Sequence, residues 1–138
     1  MIYVPYIPSL AKQIQLEWDF FRHIGTVTAA NSSSISDGGS ALLLMRESEA
    51  KARGLTPLAH IVAHSTHAQL PAEFTIAPIG AIEKVLSKAG WDKDHVDLFE
   101  INEAFAVVTM LATQELGLDV SKVNVRGGAC ALGHPIGS

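Results

Sequence analysis

The sequence predicts an α/β layered domain, and the evidence is an alternation of two kinds of pattern. Residues 79–89 place apolar side chains at helical spacing, residues 103–116 form a second segment of helix length, and a glycine follows each. Short apolar runs of strand length lie around them, at residues 40–45, 58–64, 96–101 and 123–126. Strands that alternate with helices of this length are typical of helices layered on a sheet.

A third helix is expected over residues 47–53, and the segment before it is expected to turn. The acidic side chains of this helix come early and its basic ones late, which suits the helix dipole, and Gly54 ends it. Upstream, residues 31–34 are a cluster of capping and turn residues. Residues 1–24 are rich in proline and aromatic side chains and remain unassigned, so the predicted domain spans residues 25–138.

The composition excludes several classes of protein. Hydrophobic residues make up 48% of the 138 residues and charged residues 17%, which indicates a folded domain rather than a disordered chain. Ten basic against fourteen acidic residues, with no basic run, argue against nucleic acid or an anionic membrane surface as a partner. The apolar runs are too short to span a bilayer, and no secretory signal is recognised. A single cysteine excludes an internal disulfide and fits a reducing compartment.

Residues 126–138 concentrate the features that suggest chemistry. They follow a predicted strand, contain four glycines and hold His134 directly before Pro135. The proline biases His134 toward an extended conformation, and the glycines leave little bulk around its ring. A histidine presented in this way can transfer protons near neutral pH. The alternative is a glycine-rich loop that contains an incidental histidine.

Asn102 is the second candidate, because it lies between a predicted strand and the predicted helix over residues 103–116. Ligand crevices in open α/β sheets form at the carboxyl ends of strands, and a helix N-terminus favours an oxygen that becomes negatively charged. The side-chain amide can orient a water or donate a hydrogen bond there. The alternative is an ordinary helix cap, with Glu103 placed to satisfy the helix dipole.

Other groups of residues are weaker candidates for a functional site. Residues 128–133 have the glycine spacing of a phosphate-binding loop, but His134-Pro135 replaces the Lys and Ser or Thr that such a loop requires. The sequence predicts no metal site, because its histidines (His60, His64, His67) and its aspartates (Asp92, Asp94, Asp97) lack the further ligands of zinc and calcium sites. Cys130 lies four residues before His134, yet its small apolar neighbours favour a buried thiol over a nucleophile.

Taken together, four segments resemble the thiolase family, which comprises acetyl-CoA acetyltransferases and 3-ketoacyl-CoA thiolases. In order, they are Gly25-Thr26-Val27-Thr28-Ala29-Ala30-Asn31, Asp37-Gly38 with its apolar run, Asn102-Glu103-Ala104-Phe105-Ala106, and Gly127-Gly128-Ala129 with Gly133-His134-Pro135-Ile136-Gly137. The last two are highly specific, and the resemblance covers residues 21–138.

The resemblance implies a role for each matching residue. His134 would activate a nucleophilic cysteine and line an oxyanion hole, in which Asn102 would hold a water. Ser33 would approach the pantetheine arm of CoA, although its neighbours Ser32 and Ser34 depart from the family's alanine and glycine. Phe105 would lie near the pantetheine tunnel, and Gly133 would belong to the same substrate-binding stretch. No metal or other cofactor is implied, since the CoA thioester is the substrate.

The resemblance also implies a fold and a limit on activity. The fold would be a thiolase-like layered domain, with a mixed β-sheet and helices on both faces, truncated before its last strands. The family's N-terminal half with its nucleophilic cysteine, and its C-terminal Cys-x-Gly motif, would be absent from these residues. Because Cys130 matches neither catalytic cysteine, we expect the isolated chain to be inactive.

For the complete protein, the resemblance implies an acyl-CoA acyltransferase of fatty acid metabolism that forms or cleaves 3-ketoacyl-CoA through a cysteine acyl-enzyme. It would be a homo-oligomer in the cytoplasm, or alternatively in an organellar matrix. One rival is a catalytically silent interaction or dimerisation module with the same fold. A second is a related condensing enzyme of fatty-acid or polyketide synthesis, against which the Asn102 motif argues.

Overall fold

The computed structural model describes residues 26–138, which form four α-helices and several short 3₁₀ turns. The helices are α1 (Glu47–Ala52), α2 (Ala77–Ala89), α3 (Ala106–Leu116) and α4 (Ala129–Leu132). The 3₁₀ turns lie at Ala29–Asn31, Pro71–Ile76, Lys93–His95 and Val120–Lys122. The unassigned segment 1–24 lies outside the described residues.

The helices predicted over residues 47–53 and 79–89 are confirmed, with small shifts at their ends. Helix α1 carries two exposed ion pairs one turn apart, Glu47 with Lys51 at 2.7 Å and Glu49 with Arg53 at 2.5 Å. Helix α2 begins two residues earlier than predicted and ends at Gly90, whose φ of 67° is the left-handed conformation typical of a residue that terminates a helix.

Helix α3 starts later than predicted, so the expectation that Asn102 caps a helix over residues 103–116 is wrong. The helix begins at Ala106, and Phe105, with φ −138° and ψ 150°, occupies the cap position. The reason is a tertiary contact: the backbone N–H and the hydroxyl of Ser33 both donate to the Ala104 carbonyl, at 3.2 and 3.1 Å. These bonds use the Ala104 carbonyl and accompany an extended backbone at Phe105, where a β-bridge to Ser32 forms.

The core lies where α2 and α3 pack against the segment that leads to Asn102. The 3₁₀ turn at residues 71–76 contacts both helices. The buried members of the core are Phe99, Ile101, Val108, Ala112 and Leu118. Because Phe99 and Ile101 alternate with exposed residues up to Asn102, burial of their side chains fixes the position of the Asn102 backbone.

Residues 26–138 contain isolated β-bridges rather than strand ladders. The predicted strands at 96–101 and 123–126 meet at one parallel bridge between Phe99 and Val123. The Phe99 N–H donates to the Lys122 carbonyl and the Asn124 N–H donates to the Phe99 carbonyl, both at 2.8 Å. The pairing ends there because Asn124 turns into the left-handed region, with a φ of 47°.

The apolar runs at 40–45 and 58–64 have no regular secondary structure and no β-bridge within the described part of the chain. Leu42 and Leu44 are 86% and 69% exposed, and Leu58 is fully exposed. An apolar run becomes a strand only where a neighbour satisfies its backbone N–H and C=O groups. The mixed sheet with helices on both faces therefore stays a prediction.

Candidate active site

The side chains of Asn102 and His134 meet, although 32 residues separate them in sequence. The Asn102 Nδ2 atom lies 3.3 Å from the His134 Nε2 atom. Because an amide nitrogen donates, the contact is a hydrogen bond in the tautomer whose Nε2 atom accepts and whose Nδ1 atom carries the proton. Asn102 is exposed and His134 is half-buried, so both remain accessible to a ligand.

Residues 32–35 join the two sides of this pair. Ser33 donates both of its hydrogen bonds to the Ala104 carbonyl, two residues beyond Asn102. The next residue, Ser34, accepts a 2.9 Å hydrogen bond from the backbone N–H of His134 at its carbonyl, and Ile35 forms a parallel bridge with His134. One short extended segment therefore contacts the backbone on both sides of the candidate site.

Gly133 and Phe105 have packing roles at the edges of the site. Gly133 has a φ of 96°, and a Cβ atom there would overlap with the Ser36 side chain. Only glycine lets the segment that contains Ser36 come so close to the turn before His134. The ring of Phe105 packs against that of Phe74, with 5.8 Å between their centroids. Their roles toward a substrate stay predictions.

Glu103 and Asn124 connect the two halves of the site, and the sequence-based reasoning assigned them no such role. The Glu103 carboxylate accepts hydrogen bonds from the Asn124 side-chain amide at 3.0 Å and from the backbone N–H of Cys130 at 3.1 Å. Asn124 also bonds both backbone groups of Ile101, each at 2.8 Å. The sequence does carry one signal for Asn124. Asparagine is the residue that most readily replaces glycine at positive φ, and Asn124 lies just before Arg126-Gly127-Gly128, where a turn is expected.

Cys130 lies in surroundings that suppress its reactivity. Its Sγ atom is 3.7 Å from the Glu103 carbonyl oxygen, to which the thiol donates. Burial raises the pKa of the Cys130 thiol, and the neighbouring Glu103 carboxylate raises it further. A nucleophilic cysteine needs the opposite, a positive charge or a base that stabilises the thiolate. The site therefore favours the packing interpretation of Cys130.

An open cavity of about 380 Å³ adjoins Asn102. Its walls are mostly apolar and include Phe74, Ile82, Phe99, Ile101 and Val108.

Among the residues that the structure describes, no three potential metal ligands lie close enough together to hold an ion, and the ring of His67 packs against Gly80 of α2. None of the helices within residues 26–138 has the length and apolar character needed to cross a membrane.

Comparison with known proteins decides the family. The family model "Thiolase, C-terminal domain" matches residues 55–138, and "Thiolase, N-terminal domain" matches residues 8–48. The chain belongs to the thiolase family. The match to the N-terminal domain begins before the motif-based resemblance does, and it shows that part of this domain is present, contrary to expectation. The predicted division at residue 25 stays a prediction.

Relatives that the chain matches are named as acetyl-CoA acetyltransferases. The chain is 55% identical to a probable acetyl-CoA acetyltransferase of Dictyostelium discoideum and 52% identical to the cytosolic acetyl-CoA acetyltransferase of Mus musculus, each over 83% of its length. It superimposes on the crystal structure of the Bacillus anthracis acetyl-CoA acetyltransferase with a TM-score of 0.79 and 48% identity, over 81% of its length. This establishes a thiolase-like fold. The chain spans only 28–29% of the length of these proteins.

Proposed function

We propose that this thiolase chain carries part of the active site of an acetyl-CoA acetyltransferase-type enzyme. The enzyme would form or cleave 3-ketoacyl-CoA through a cysteine acyl-enzyme, as part of fatty acid metabolism. The observation that carries the proposal is the 3.3 Å contact between Asn102 and His134, in a chain that is about half identical to acetyl-CoA acetyltransferases. The full-length protein would be a homo-oligomer in the cytoplasm.

The chemistry follows from what these two side chains can do. Carbon–carbon bond formation between thioesters passes through negatively charged oxygens, which need donors that are fixed in advance. The Asn102 amide can donate to such an oxygen or to a water bound beside it. The His134 ring can take a proton from a cysteine thiol supplied by another part of the protein and return it later. The apolar cavity beside Asn102 suits the uncharged part of a thioester.

The 138 residues alone should not turn over a thioester, because their one cysteine is Cys130, whose raised pKa disfavours a thiolate. The test is acetoacetyl-CoA cleavage by the purified chain, followed by the loss of the substrate's absorbance. Turnover above the rate without protein would contradict this expectation. Calorimetric titration with acetyl-CoA is the second arm, since absence of binding would favour a silent interaction module.

A chimera tests the roles of Asn102 and His134 directly. Residues 26–138 would replace the matching segment of the Bacillus anthracis enzyme, which then supplies the remainder of the fold. In an active chimera, we expect His134→Ala to lower kcat about 10²–10⁴-fold, in the range of general acid–base catalysis. We expect Asn102→Ala to lower it by about 10²–10³-fold, the usual cost of a lost oxyanion-hole donor. Glu115→Gln, at an exposed position on α3 outside the cavity beside Asn102, is the control and should leave kcat unchanged.

We also propose that the complete protein contains the mixed sheet predicted from the sequence. The support is that residues 26–138 already form both parallel and antiparallel bridges. The exposed runs at 40–45 and 58–64 would then gain backbone partners. Amide hydrogen exchange checks this: both runs should exchange rapidly in the 138-residue chain and slowly in the active chimera. Rapid exchange in both proteins would contradict the proposed sheet.

A further inference from the structure

We propose that Glu103 is a positioning residue, whose carboxylate holds the Asn102 segment against the segment that leads to His134. The inference rests on the proposed function, because it assigns a role within the same site. Glu103 directly follows Asn102, and its partner Cys130 lies four residues before His134, at the other end of α4 from that histidine. The carboxylate therefore bridges two segments close to the functional pair.

Both oxygens of the carboxylate are engaged by donors. The Oε1 atom accepts from the Nδ2 atom of Asn124 at 3.0 Å, and the Oε2 atom accepts from the backbone N–H of Cys130 at 3.1 Å. The Glu103 carbonyl accepts from the Cys130 thiol at 3.7 Å. Hydrogen bonds to a charged acceptor in a half-buried site are stronger than those between neutral groups, so they restrict the relative motion of the two segments.

The absence of a side chain at Gly128 leaves room for the Glu103 carboxylate. A Cβ atom at Gly128 would overlap with the Glu103 carboxylate carbon and both of its oxygens. Glycine therefore lets the backbone before α4 lie directly against Glu103. Asn124, which donates to the same carboxylate, also bonds the N–H and C=O of Ile101, the residue before Asn102. The residues on either side of Asn102, Ile101 and Glu103, are thus both held by Asn124.

The alternative role expected from the sequence, in which Glu103 satisfies the dipole of the following helix, does not account for these contacts. Helix α3 begins at Ala106, and its cap position is Phe105, so Glu103 lies outside the first turn. Its oxygens instead contact Asn124 and Cys130. The remaining alternative is that Glu103 stabilises the fold without affecting the distance between Asn102 and His134. An experiment must therefore measure that distance as well as stability.

The substitution Glu103→Gln is the informative one, because it keeps the shape of the side chain. Glutamine has one acceptor oxygen and one NH₂ group, whereas both partners of Glu103 are donors. With the side chain in the same position only one of the two bonds can survive, so the connection between the two segments is weakened. Glu103→Ala removes both bonds. Glu115→Gln is the control, since it removes the charge of an exposed glutamate that lies outside the cavity beside Asn102.

The measurement is NMR on the isotope-labelled 138-residue chain, with far-UV circular dichroism as the check of folding. In the unsubstituted chain and in Glu115→Gln, we expect a cross-relaxation signal between the side-chain amide of Asn102 and the ring of His134. In Glu103→Gln the signal should fall several-fold, and the His134 ring nitrogen shifts should change. Should Glu103→Ala fail to fold, Glu103→Gln alone decides the question.

Two outcomes would overturn the proposal. One is an unchanged amide-to-ring signal in folded Glu103→Gln, which would leave Glu103 with a stabilising role only. The other is absence of the signal from the unsubstituted chain. Titration with acetyl-CoA separates this proposal from the proposed function: an intact Asn102–His134 contact without any ligand-induced shift would refute binding of the substrate class but not the positioning role of Glu103.

Discussion

Substitution of Asn124 by alanine tests the contacts that hold the backbone around the candidate site. The side chain accepts a hydrogen bond from the Ile101 N–H and donates to the Ile101 carbonyl, both at 2.8 Å. It donates a third to Glu103 at 3.0 Å. Its backbone is in the left-handed region, with a φ of 47°. Asn124→Ala removes all three bonds. It also places alanine in the left-handed conformation, which its Cβ atom disfavours and which no side-chain bond then stabilises.

The expected loss of stability follows from these four terms. Each Ile101 backbone group that loses its partner in this half-buried site costs roughly 1 kcal/mol, and the bond to the charged Glu103 contributes roughly as much. The left-handed conformation costs alanine about 1–2 kcal/mol. Since the segment can relax and water can enter, we expect a total of about 3–4 kcal/mol. For a chain of this size, the melting temperature would then fall by roughly 10–15 °C.

The assay is urea unfolding followed by far-UV circular dichroism, with Asn124→Gly as the comparison. Glycine loses the same three bonds but adopts the left-handed conformation freely, so Asn124→Gly should be less destabilised than Asn124→Ala. A loss of less than about 1 kcal/mol in Asn124→Ala would refute the importance of the bonds. Equal losses in the two variants would refute the argument from backbone conformation.

Three further predictions concern Gly128, Cys130 and the hydrogen bonds between Ser121 and Asp119. Gly128→Ala should cost about 1–3 kcal/mol of unfolding free energy because its Cβ overlaps with Glu103, and most of that cost should vanish in a Glu103→Ala background; additive losses would contradict the overlap. Iodoacetamide should alkylate Cys130 more slowly in the folded chain than in urea, because burial raises the pKa of its thiol; equal rates would contradict this. Hydrogen bonds from the Ser121 hydroxyl and backbone N–H lower the pKa of Asp119. Because Ser121→Ala removes the hydroxyl bond, the NMR titration midpoint of Asp119 should rise in this variant, and an unmoved midpoint would exclude the hydroxyl as a cause.

The helices that could be predicted from the sequence are those whose signals are local. For α1, charges arranged along the dipole and a following glycine were enough, and for α2, apolar spacing and Gly90 were enough. The start of α3 was predicted wrongly because Ser33, about seventy residues earlier, holds the Ala104 carbonyl. A contact at that separation leaves no trace in the local sequence, and it overrides the capping preference of Asn102.

In the candidate site too, the sequence could not predict contacts between residues that are far apart along the chain. The meeting of Asn102 and His134 was expected only from the family resemblance, since spacing alone could not bring together residues so far apart. For Glu103 the sequence suggested only that its charge satisfies the dipole of a helix capped by Asn102. Its actual partners, Asn124 and Cys130, lie 21 and 27 residues away. The local sequence predicts neither of these two bonds nor the close approach of Gly128 to the Glu103 carboxylate.

The leucines of residues 42–44, which are 69–86% exposed, affect the solubility of the 138-residue chain when it is expressed alone. Contiguous exposed leucines are what chaperones and proteases recognise in incompletely folded proteins, and they also promote aggregation at micromolar concentrations. When the 138 residues are expressed alone, their yield should therefore depend on quality control more than on their own folding equilibrium. Replacing Leu43 with lysine should raise the soluble yield without disturbing Asn102 or His134.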